Sequence, residues 1–311
     1  MPVGWGCSMN RVLILGGAGF LGRNLQEAFG AAGHSVAVVD HAGRAASEGH
    51  HCLALTDQDR LFDLMREQGT EVVVHLTCGL LPSSDADDFA HEQRAIIEPS
   101  FRLMEQCARL GIRFVLFSSG GTVYGESHGE RVREDHLLAP KNYYGLSKVM
   151  LESYAQLCQR MHGLRYLLLR PSNPYGRHQR LQGAQGLIAV ALGNMLSGRA
   201  LQVWGDGSAV RDYLDVGDLA AAVVSLIDRS VVDRTFNIGS GVGHSLNEVL
   251  AMLREVTGRA LPVQYHAARS VDVQSIVLDT SALAAVIPWQ PRPLRLGLAD
   301  FWRSLGELHE H

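Results

Sequence analysis

The sequence predicts an α/β protein: a Rossmann-type, doubly wound parallel sheet with a smaller C-terminal region. Five short apolar runs lie between residues 11 and 171, and polar residues or glycine follow each of them. Segments with apolar residues at three- and four-residue spacing separate the runs, as amphipathic helices would. A glycine-rich turn joins the first run to the first of these segments. This alternation indicates a parallel sheet with right-handed crossovers and helices on both faces.

The first half of the chain divides into clear elements. The predicted strands cover residues 11–16, 35–40, 71–77, 113–119 and 165–171. The predicted helices cover residues 20–32, 57–68, 85–110 and 143–162, and a glycine follows the end of each one, as is common at helix C-termini. Beyond residue 172 the pattern loosens. There we predict helices near residues 185–197, 216–227, 245–257 and 294–306 and a short strand at 235–238.

The composition excludes several classes of function. Of the 311 residues, 46% are hydrophobic and 19% are charged, and the net charge of −4 lacks the basic excess of a nucleic-acid-binding protein. The five cysteines form no CxxC pair and the 14 histidines show no HExxH spacing, so we expect neither a disulfide framework nor a metal site. No run approaches the roughly 18 apolar residues of a membrane span, and no secretion signal is evident. We therefore expect a cytoplasmic protein that binds neither membranes nor nucleic acids.

The glycine-rich turn has the spacing of a dinucleotide-binding site. The turn and the helix start comprise Gly16, Gly17, Gly19, Phe20, Leu21 and Gly22. Without Cβ atoms the backbone can approach a pyrophosphate, and the helix N-terminus offers free N–H groups and a positive dipole. Asp40 ends the second strand, where its carboxylate can accept hydrogen bonds from the adenosine ribose and would repel a 2′-phosphate. We therefore predict NAD as the cofactor, with NADP less favoured but left open by nearby Arg44.

The same observations suggest how the chain is divided. We expect residues 10–172 to form the NAD-binding Rossmann domain. Residues 173–311 are expected to form a substrate-binding region that is interleaved with the sheet and is not an independent domain.

A candidate catalytic pair lies beyond the glycine-rich turn. Ser118 and Ser119 end a predicted strand, and Tyr144 and Lys148 lie four residues apart on one face of a predicted helix. A phenol with a pKa of about 10 is a poor base at neutral pH. A neighbouring ammonium and an oxidised nicotinamide ring both favour the phenolate. The spacing is common by chance, but its place after the turn and the serine pair makes Tyr144 a candidate acid/base.

Together these motifs resemble the extended short-chain dehydrogenase/reductases, in particular the NAD-dependent epimerase/dehydratase family. The resemblance covers nearly all of residues 10–305. The matching segments, in order, are residues 16–22, 38–40, 74–76, 118–119, 123–125, 144–148, 170–176, 204–207, 211–213 and 237–241.

The resemblance implies roles for individual residues. Tyr144 would be the acid/base, and Lys148 would hold the nicotinamide ribose and lower the tyrosine pKa. Further contacts to the cofactor are implied for Leu55, Leu76, Ser118 and Pro171, in addition to the turn residues and Asp40. Contacts to a nucleoside diphosphate are implied for Asn173, Arg211 and Arg269, while Gln185 and Leu187 would lie near the base. The helices at 85–110 and 143–162 would pair with their copies in a four-helix homodimer interface.

The sequence also departs from the family pattern. Gly120 stands where the family has a Ser or Thr whose hydroxyl orients the sugar C4 oxygen, and Thr122 and Ser119 are the alternatives that could replace it. Related dehydratases carry an Asp-Glu pair at the positions of Gly121 and Thr122, so dehydration is disfavoured. Ala54 replaces an Asp that contacts adenine, and residues 77–78 are Thr-Cys where Ala-Ala is usual.

Three functions are compatible with these residues. The leading hypothesis is an NAD-dependent 4-epimerase of a UDP- or dTDP-hexose that works through a transient 4-keto sugar. The alternative is an NAD(P)H-dependent 4-ketoreductase of a nucleotide-linked deoxysugar, which would use Tyr144 as an acid. A non-catalytic NAD(P)-sensing protein is disfavoured because Tyr144 and Lys148 are both intact. The sequence leaves the sugar and the nucleotide base open.

Overall fold

The computed structural model describes residues 9–41, 49–127, 129–183, 185–267 and 273–307. Elements up to the end of the long helix after residue 142 are, in chain order, β1 (Arg11–Leu15), α1 (Phe20–Ala31), β2 (Ser35–Asp40), β3 (His50–Cys52), α2 (Gln58–Glu67), β4 (Val72–His75), α3 (Ala86–Glu92), α4 (Glu98–Leu110), β5 (Arg113–Phe117), β6 (Arg131–Val132) and α5 (Tyr143–His162). A π-helical turn, Gln93–Ile97, joins α3 to α4.

The remaining elements are β7 (Tyr166–Pro171), β8 (Asn173–Tyr175), α6 (Leu187–Ser197), β9 (Leu201–Trp204), β10 (Val210–Asp215), α7 (Val216–Asp228), β11 (Arg234–Ile238), β12 (Gly243–Ser245), α8 (Leu246–Thr257), β13 (Val263–His266), β14 (Ser275–Leu278), α9 (Ser281–Ala284) and α10 (Leu294–Glu307).

A seven-stranded sheet forms the centre of the fold. Its strand order is β11-β7-β5-β4-β1-β2-β3, and every pairing is parallel. The chain runs outward from β1 in both directions, so the carboxyl ends of β1 and β4 flank the point where the strand order reverses. Ligands of such sheets bind beyond the strand ends at this point. The predicted Rossmann-type fold class is confirmed.

Both faces of this sheet are buried, which explains the continuous apolar runs. Alternate residues of β1 belong to different cores: Val12 and Ile14 pack with α1 and α7, and Leu13 and Leu15 pack with α2, α4 and α5. Successive side chains of a strand point to opposite faces. Burying each such side chain contributes roughly 1.5–3 kcal/mol, so a polar residue on either face would be unfavourable.

The predicted helices form, with one change inside the longest pattern. The helix predicted at 143–162 has those bounds, begins at an Asn142 cap and ends at Gly163 in a left-handed conformation. The helix predicted at 85–110 begins with a capping box at Asp85 but contains the π-helical turn. The turn directly precedes Glu98 and Pro99, and proline has no N–H to donate to a regular helical hydrogen bond.

The two predicted regions of the chain exchange strands. From the C-terminal half, β11 pairs with β7 at one edge of the large sheet. From the N-terminal half, β6 pairs with β14 in a smaller sheet of order β12-β10-β14-β6, in which β8 also pairs with β10. A third core, built mainly from α6, α8 and α10, lies beside the two-stranded sheet of β9 and β13. Among the described residues, no helix is both long and apolar enough to cross a membrane.

A buried ion pair joins the sheet to α5. Arg170, near the end of β7, donates to the carboxylate of Glu152 at 2.6 Å, and both side chains are almost inaccessible. The guanidinium also donates to the Tyr124 hydroxyl at 2.7 Å, and that hydroxyl donates to Asn237 Oδ1 at 2.6 Å. The network therefore fixes α5 against β7 and β11.

We expect Arg170→Met to lower the free energy of unfolding by about 3–5 kcal/mol, because Glu152 would be left buried without its cation. Urea denaturation followed by circular dichroism measures this change. The control is Arg66→Met, which removes an exposed ion pair with Asp63 and should change stability by less than about 0.5 kcal/mol. A loss below about 1 kcal/mol for Arg170→Met would contradict the expectation.

Candidate active site

The turn between β1 and α1 depends on close backbone contact. A Cβ added at Gly22 would lie 2.4 Å from the Cα and carbonyl oxygen of Gly17, and one added at Gly17 would lie 2.6 Å from a methyl of Val38. A Cβ at Gly19 would meet only the Gly16 carbonyl oxygen, at 3.5 Å. The side of the turn at Gly19 is thus open, directly before the first residue of α1. An open glycine backbone at a helix N-terminus fits a pyrophosphate.

Asp40 supports this turn from the end of β2. Its Oδ2 accepts a hydrogen bond from the Ala18 N–H at 3.0 Å, and its Oδ1 lies 3.5 Å from Nδ1 of the exposed His41. The carboxylate predicted to face an adenosine ribose therefore lies against the glycine-rich turn.

A cavity of about 240 Å³ opens beside the turn. Its walls come from the ends of β1, β2 and β4, from the segment after β3, and from the junction of α3 with the π-helical turn. Leu55, predicted as a cofactor contact, lines the cavity, and Ala54 leaves it without a carboxylate at that position. Leu76 is half-buried at the end of β4, and its N–H donates to Leu15 O at 3.0 Å. The cavity has the apolar walls and nearby carboxylate that an adenosine requires.

Several hydroxyls gather at the ends of β5 and β7. Ser118 is buried, and its N–H donates to Leu169 O, while Pro171 is the buried last residue of β7. Within the described part of the chain, the hydroxyls of Ser118, Thr122 and Ser172 are buried without a hydrogen-bond partner. Buried hydroxyls normally have a partner, so these groups are available to a ligand.

Tyr144 and Lys148 lie on the first turns of α5, facing these strand ends. Asn142 caps the helix by accepting from the Gly145 N–H at 2.8 Å. The Lys148 ammonium lies 5.7 Å from the centre of the Tyr144 ring and is 3% exposed. The Ser119 hydroxyl lies close enough to the Tyr144 phenol to lower its pKa. The structure thus brings Ser119, Tyr144 and Lys148 together.

The sequence predicted that Lys148 lowers the pKa of Tyr144; the ammonium does act in that direction, but the net shift is upward. Burial raises the pKa of Tyr144 above its ordinary value, and this outweighs the lowering by the Lys148 ammonium and the Ser119 hydroxyl. Burial acts to lower the pKa of Lys148, but Cys78, Tyr144 and two glutamates outweigh it and raise that pKa. Lys148 therefore stays an ammonium, and the phenol stays protonated near neutral pH until a further positive charge approaches it.

The missing hydroxyl at Gly120 has a steric cause. A Cβ there would lie 2.6 Å from Cδ1 of Leu278 and 2.9 Å from the carbonyl oxygen of Arg170. The backbone of β7 and a side chain of β14 thus occupy the space that a serine would need. Of the two alternatives, Ser119 lies close enough to Tyr144 to lower its pKa. The carbonyl oxygen of Thr122 would lie 2.7 Å from a Cβ added at Gly145.

The expected substrate ligands lie on the smaller sheet and its connections. Asn173 begins β8, and its Nδ2 donates to Asp212 O at 2.9 Å. Arg211, on β10, donates to the carbonyl oxygens of Val210 and Val273. Gln185 is exposed just before α6, which begins at half-buried Leu187. The remaining predicted ligand, Arg269, and the charge at Arg44 lie outside the described residues.

One buried carboxylate in the cavity wall was not predicted from the sequence. Glu92 is 3% exposed, and its Oε2 accepts from the Gly79 N–H at 3.0 Å. Its only signal in the sequence was an acidic residue inside a helical pattern, which normally indicates a solvated face. His75, in contrast, is a buried neutral histidine: burial lowers its pKa to about 3, and Nε2 bonds to Ser100. Among the described residues, no group of three or more His, Cys, Asp or Glu side chains could hold a metal ion.

Comparisons with known proteins agree with this geometry. The family model for the NAD dependent epimerase/dehydratase family matches residues 12–239. The UDP-glucose 4-epimerase of Mycolicibacterium smegmatis is 29% identical over 312 residues, covering 96% of this chain and 100% of that protein. The dTDP-4-dehydro-6-deoxyglucose reductase of Escherichia coli is 26% identical, covering 91% and 93%. The structure of the Thermus thermophilus UDP-glucose 4-epimerase in complex with NAD superimposes with a TM-score of 0.86 at 30% identity, covering 94% and 97%.

We expect Gly22→Ala to weaken NADH binding by at least about 10-fold, because the added methyl meets the Gly17 backbone and must displace the start of α1. Titration of NADH fluorescence measures the affinity, and thermal melting shows whether the protein remains folded.

The matched control is Gly30→Ala on the same helix, where a Cβ meets nothing within 4 Å. It should leave NADH affinity unchanged and stabilise the helix by roughly 0.5–1 kcal/mol. NADH binding at wild-type strength in Gly22→Ala would show that the turn is not the pyrophosphate site.

Proposed function

The chain belongs to the NAD dependent epimerase/dehydratase family and uses NAD, and on this basis we propose that it is a nucleotide-sugar 4-epimerase. The observation that carries the proposal is that Tyr144 and Lys148, on the first turns of α5, lie together with Ser119, which follows the end of β5. The substrate class is a hexose linked to a UDP or dTDP carrier, in keeping with the names of its relatives.

We assign the residues of the reaction as follows. Tyr144 takes the proton from the C4 hydroxyl of the sugar and later returns it to the C4 oxygen. Lys148 holds the ribose next to the nicotinamide, and its charge favours the phenolate. NAD held by the glycine-rich turn and Lys148 would supply a reversible hydride acceptor for C4. The 4-keto sugar must rotate in the site between removal and return of the hydride, so that its other face is reduced.

Ser119 is the hydroxyl that we assign to the C4 oxygen in place of the one missing at Gly120. It lies near the Tyr144 phenol and lowers its pKa, and a serine at position 120 has no room beside Leu278. Thr122 supplies a second hydroxyl at the same strand end. Neither Gly121 nor Thr122 can donate a proton as a carboxylic acid could, so loss of water from the sugar is not expected.

The remaining ligands divide between the two halves of the chain. We propose that residues 10–172 hold NAD through Gly16, Gly19, Phe20, Leu21 and Gly22, Asp40, Leu55, Leu76, Ser118 and Pro171. Asp40 selects NAD over NADP because its charge opposes a 2′-phosphate. We propose that residues 173–311 hold the nucleoside diphosphate through Asn173, Arg211, Arg269, Gln185 and Leu187. Because the binding contacts are concentrated on the diphosphate, the hexose is free to rotate.

A second function, reduction of a nucleotide-linked 4-keto deoxysugar by external NAD(P)H, has one observation in its favour. The hydroxyl usual at position 120 is absent, so the C4 oxygen lacks one hydrogen-bonding group that family members with Ser or Thr at this position have. Tyr144 would then act only as an acid. A purely sensing role is disfavoured because the acid/base pair and its serine are all present.

We further propose a cytoplasmic homodimer. Leu146, Leu157 and Met161 form an exposed apolar stripe along α5, and Leu110 is exposed at the end of neighbouring α4. Two copies of these helices would bury this surface in a four-helix interface. The described cysteines are free thiols, as expected in a reducing compartment.

The epimerase proposal is tested with purified protein and no added cofactor. We expect acid extraction to release NAD, and UDP- or dTDP-hexoses to be converted to their C4 epimers, as measured by nucleotide-sugar chromatography. Strict dependence on added NADPH and a 4-keto sugar would instead identify the reductase. Turnover of neither substrate class would contradict both.

Tyr144→Phe should lower turnover by roughly 10²–10⁴-fold, because the proton acceptor is lost, while NADH affinity stays within about 3-fold of wild type. Tyr143→Phe is the matched control, since Tyr143 is 37% exposed and stacks on Phe89 through its ring alone. Its turnover should match wild type. An active Tyr144→Phe variant would remove the acid/base assignment.

Size-exclusion chromatography with light-scattering detection measures the molar mass of the protein and so tests for the homodimer. Because two charges in an apolar interface are costly, we expect Leu157→Glu combined with Met161→Glu to convert the dimer to a monomer. Leu137→Glu, at a position that is 77% exposed on another part of the surface, should leave the dimer intact. A wild-type protein that elutes as a monomer would contradict the proposal.

A further inference from the structure

The carboxylate of Glu92 is buried in the wall of the cavity proposed to hold NAD. Glu92 is the last residue of α3, directly before the π-helical turn, and its side chain is 3% exposed. Carboxylates are rarely buried to this degree unless they are paired. Among the described residues, no Lys, Arg or His nitrogen lies within 4.0 Å of the Glu92 carboxylate. Its burial therefore requires another explanation.

One contact of Glu92 is to the segment after β4. Its Oε2 accepts from the Gly79 N–H at 3.0 Å, and a Cβ on Gly79 would lie 2.9 Å from the same oxygen. This segment also abuts the glycine-rich turn, since a Cβ on Gly16 would lie 3.2 Å from the Thr77 nitrogen. Glu92 thus holds the strand end that lies beside the turn at the switch point of the sheet.

The second effect of Glu92 is on the charge of Lys148. This ammonium is 3% exposed, and among the described residues no carboxylate lies within 4.0 Å of it. Burying an unpaired charge is unfavourable, so more distant negative groups must compensate for it. The groups that raise the pKa of Lys148 against its burial are Cys78, Tyr144, Glu92 and Glu152.

Two of these four groups are uncharged near neutral pH, and a third is ion-paired. Burial raises the pKa of Cys78 and that of Tyr144, so both are protonated. Glu152 is matched by Arg170 at 2.6 Å in the buried ion pair. This leaves Glu92 as the carboxylate whose charge acts on Lys148.

We propose that Glu92 is a positioning residue of the active site: it anchors the Cys78–Gly79 backbone beside NAD and compensates the charge of the buried Lys148. It touches neither the sugar nor the acid/base directly. The proposal rests on the proposed function only for the catalytic role of Tyr144 and Lys148. The ionisable groups that line the cavity with Glu92 are Asp40, His41, Cys78 and His91. Those that act on Lys148 besides Glu92 are Cys78, Tyr144 and Glu152.

Glu92→Gln tests the charge while keeping the size and an acceptor oxygen for the Gly79 N–H. Because Glu92 raises the pKa of both Tyr144 and Lys148, both pKa values should fall in this variant. We expect the tyrosinate absorbance of NAD-loaded protein, corrected by a Tyr144→Phe sample, to titrate about half a pH unit lower or more. Both limbs of the pH–turnover profile should move to lower pH by the same amount.

Glu92→Asp tests the anchor, because it keeps the charge but is too short to reach Gly79. It should retain the wild-type tyrosinate midpoint and bind NADH about 10-fold more weakly, since the Gly79 N–H loses its partner. Glu67→Gln is the control: it removes the same charge from an exposed position of α2 and should change neither property. Thermal melting of each variant shows that the protein is folded.

The outcomes separate this proposal from the proposed function. If wild-type protein converts no nucleotide sugar, the proposed function fails, while the tyrosinate titration and NADH affinity still report on Glu92. A Glu92→Gln midpoint equal to that of wild type would overturn the charge compensation. Unchanged NADH affinity in Glu92→Asp would overturn the anchor.

Discussion

The backbone contact between Gly22 and Gly17 sets the geometry on which the site depends. Because neither residue has a side chain, α1 starts directly against the end of β1 and its N-terminus points into the switch point of the sheet. The parallel order of the strands then places the ends of β4, β5 and β7 beside that helix start. Helix α5, which carries the proposed acid/base pair, begins beside these ends. One close contact thus relates the cofactor turn to the acid/base pair.

Much of the large sheet could be predicted because its strands are buried on both faces. Their continuous apolar runs gave the correct element type and order, although the run at 113–119 overshot β5 by Ser118 and Ser119, which already belong to the site. The short strands outside the large sheet left no such continuous apolar run. β9 alternates buried and exposed residues over four positions, and β6 is two residues long. Their pairing is set by contacts between distant parts of the chain.

The same distinction holds for the active site. The proximity of Tyr144 and Lys148 could be predicted because they share one helix, so their spacing alone places them on one face. The steric exclusion at Gly120 could not, because Leu278 comes from a strand far along the chain. Glu92 was missed because the π-helical turn and the loop at Gly79 meet only in the folded protein. Local spacing predicts residues within one element, and tertiary contacts decide the rest.

Strand β11 is synthesised after all the other strands of the large sheet. This strand covers the outer edge of β7 from Leu167 to Pro171, yet it is the last of the seven to leave the ribosome. For on the order of several seconds, the nascent chain carries an uncovered, highly apolar strand edge. Such an edge is a template for pairing with other chains. The large sheet is therefore complete only once much of the C-terminal half has been synthesised, so protection of the β7 edge depends on that half.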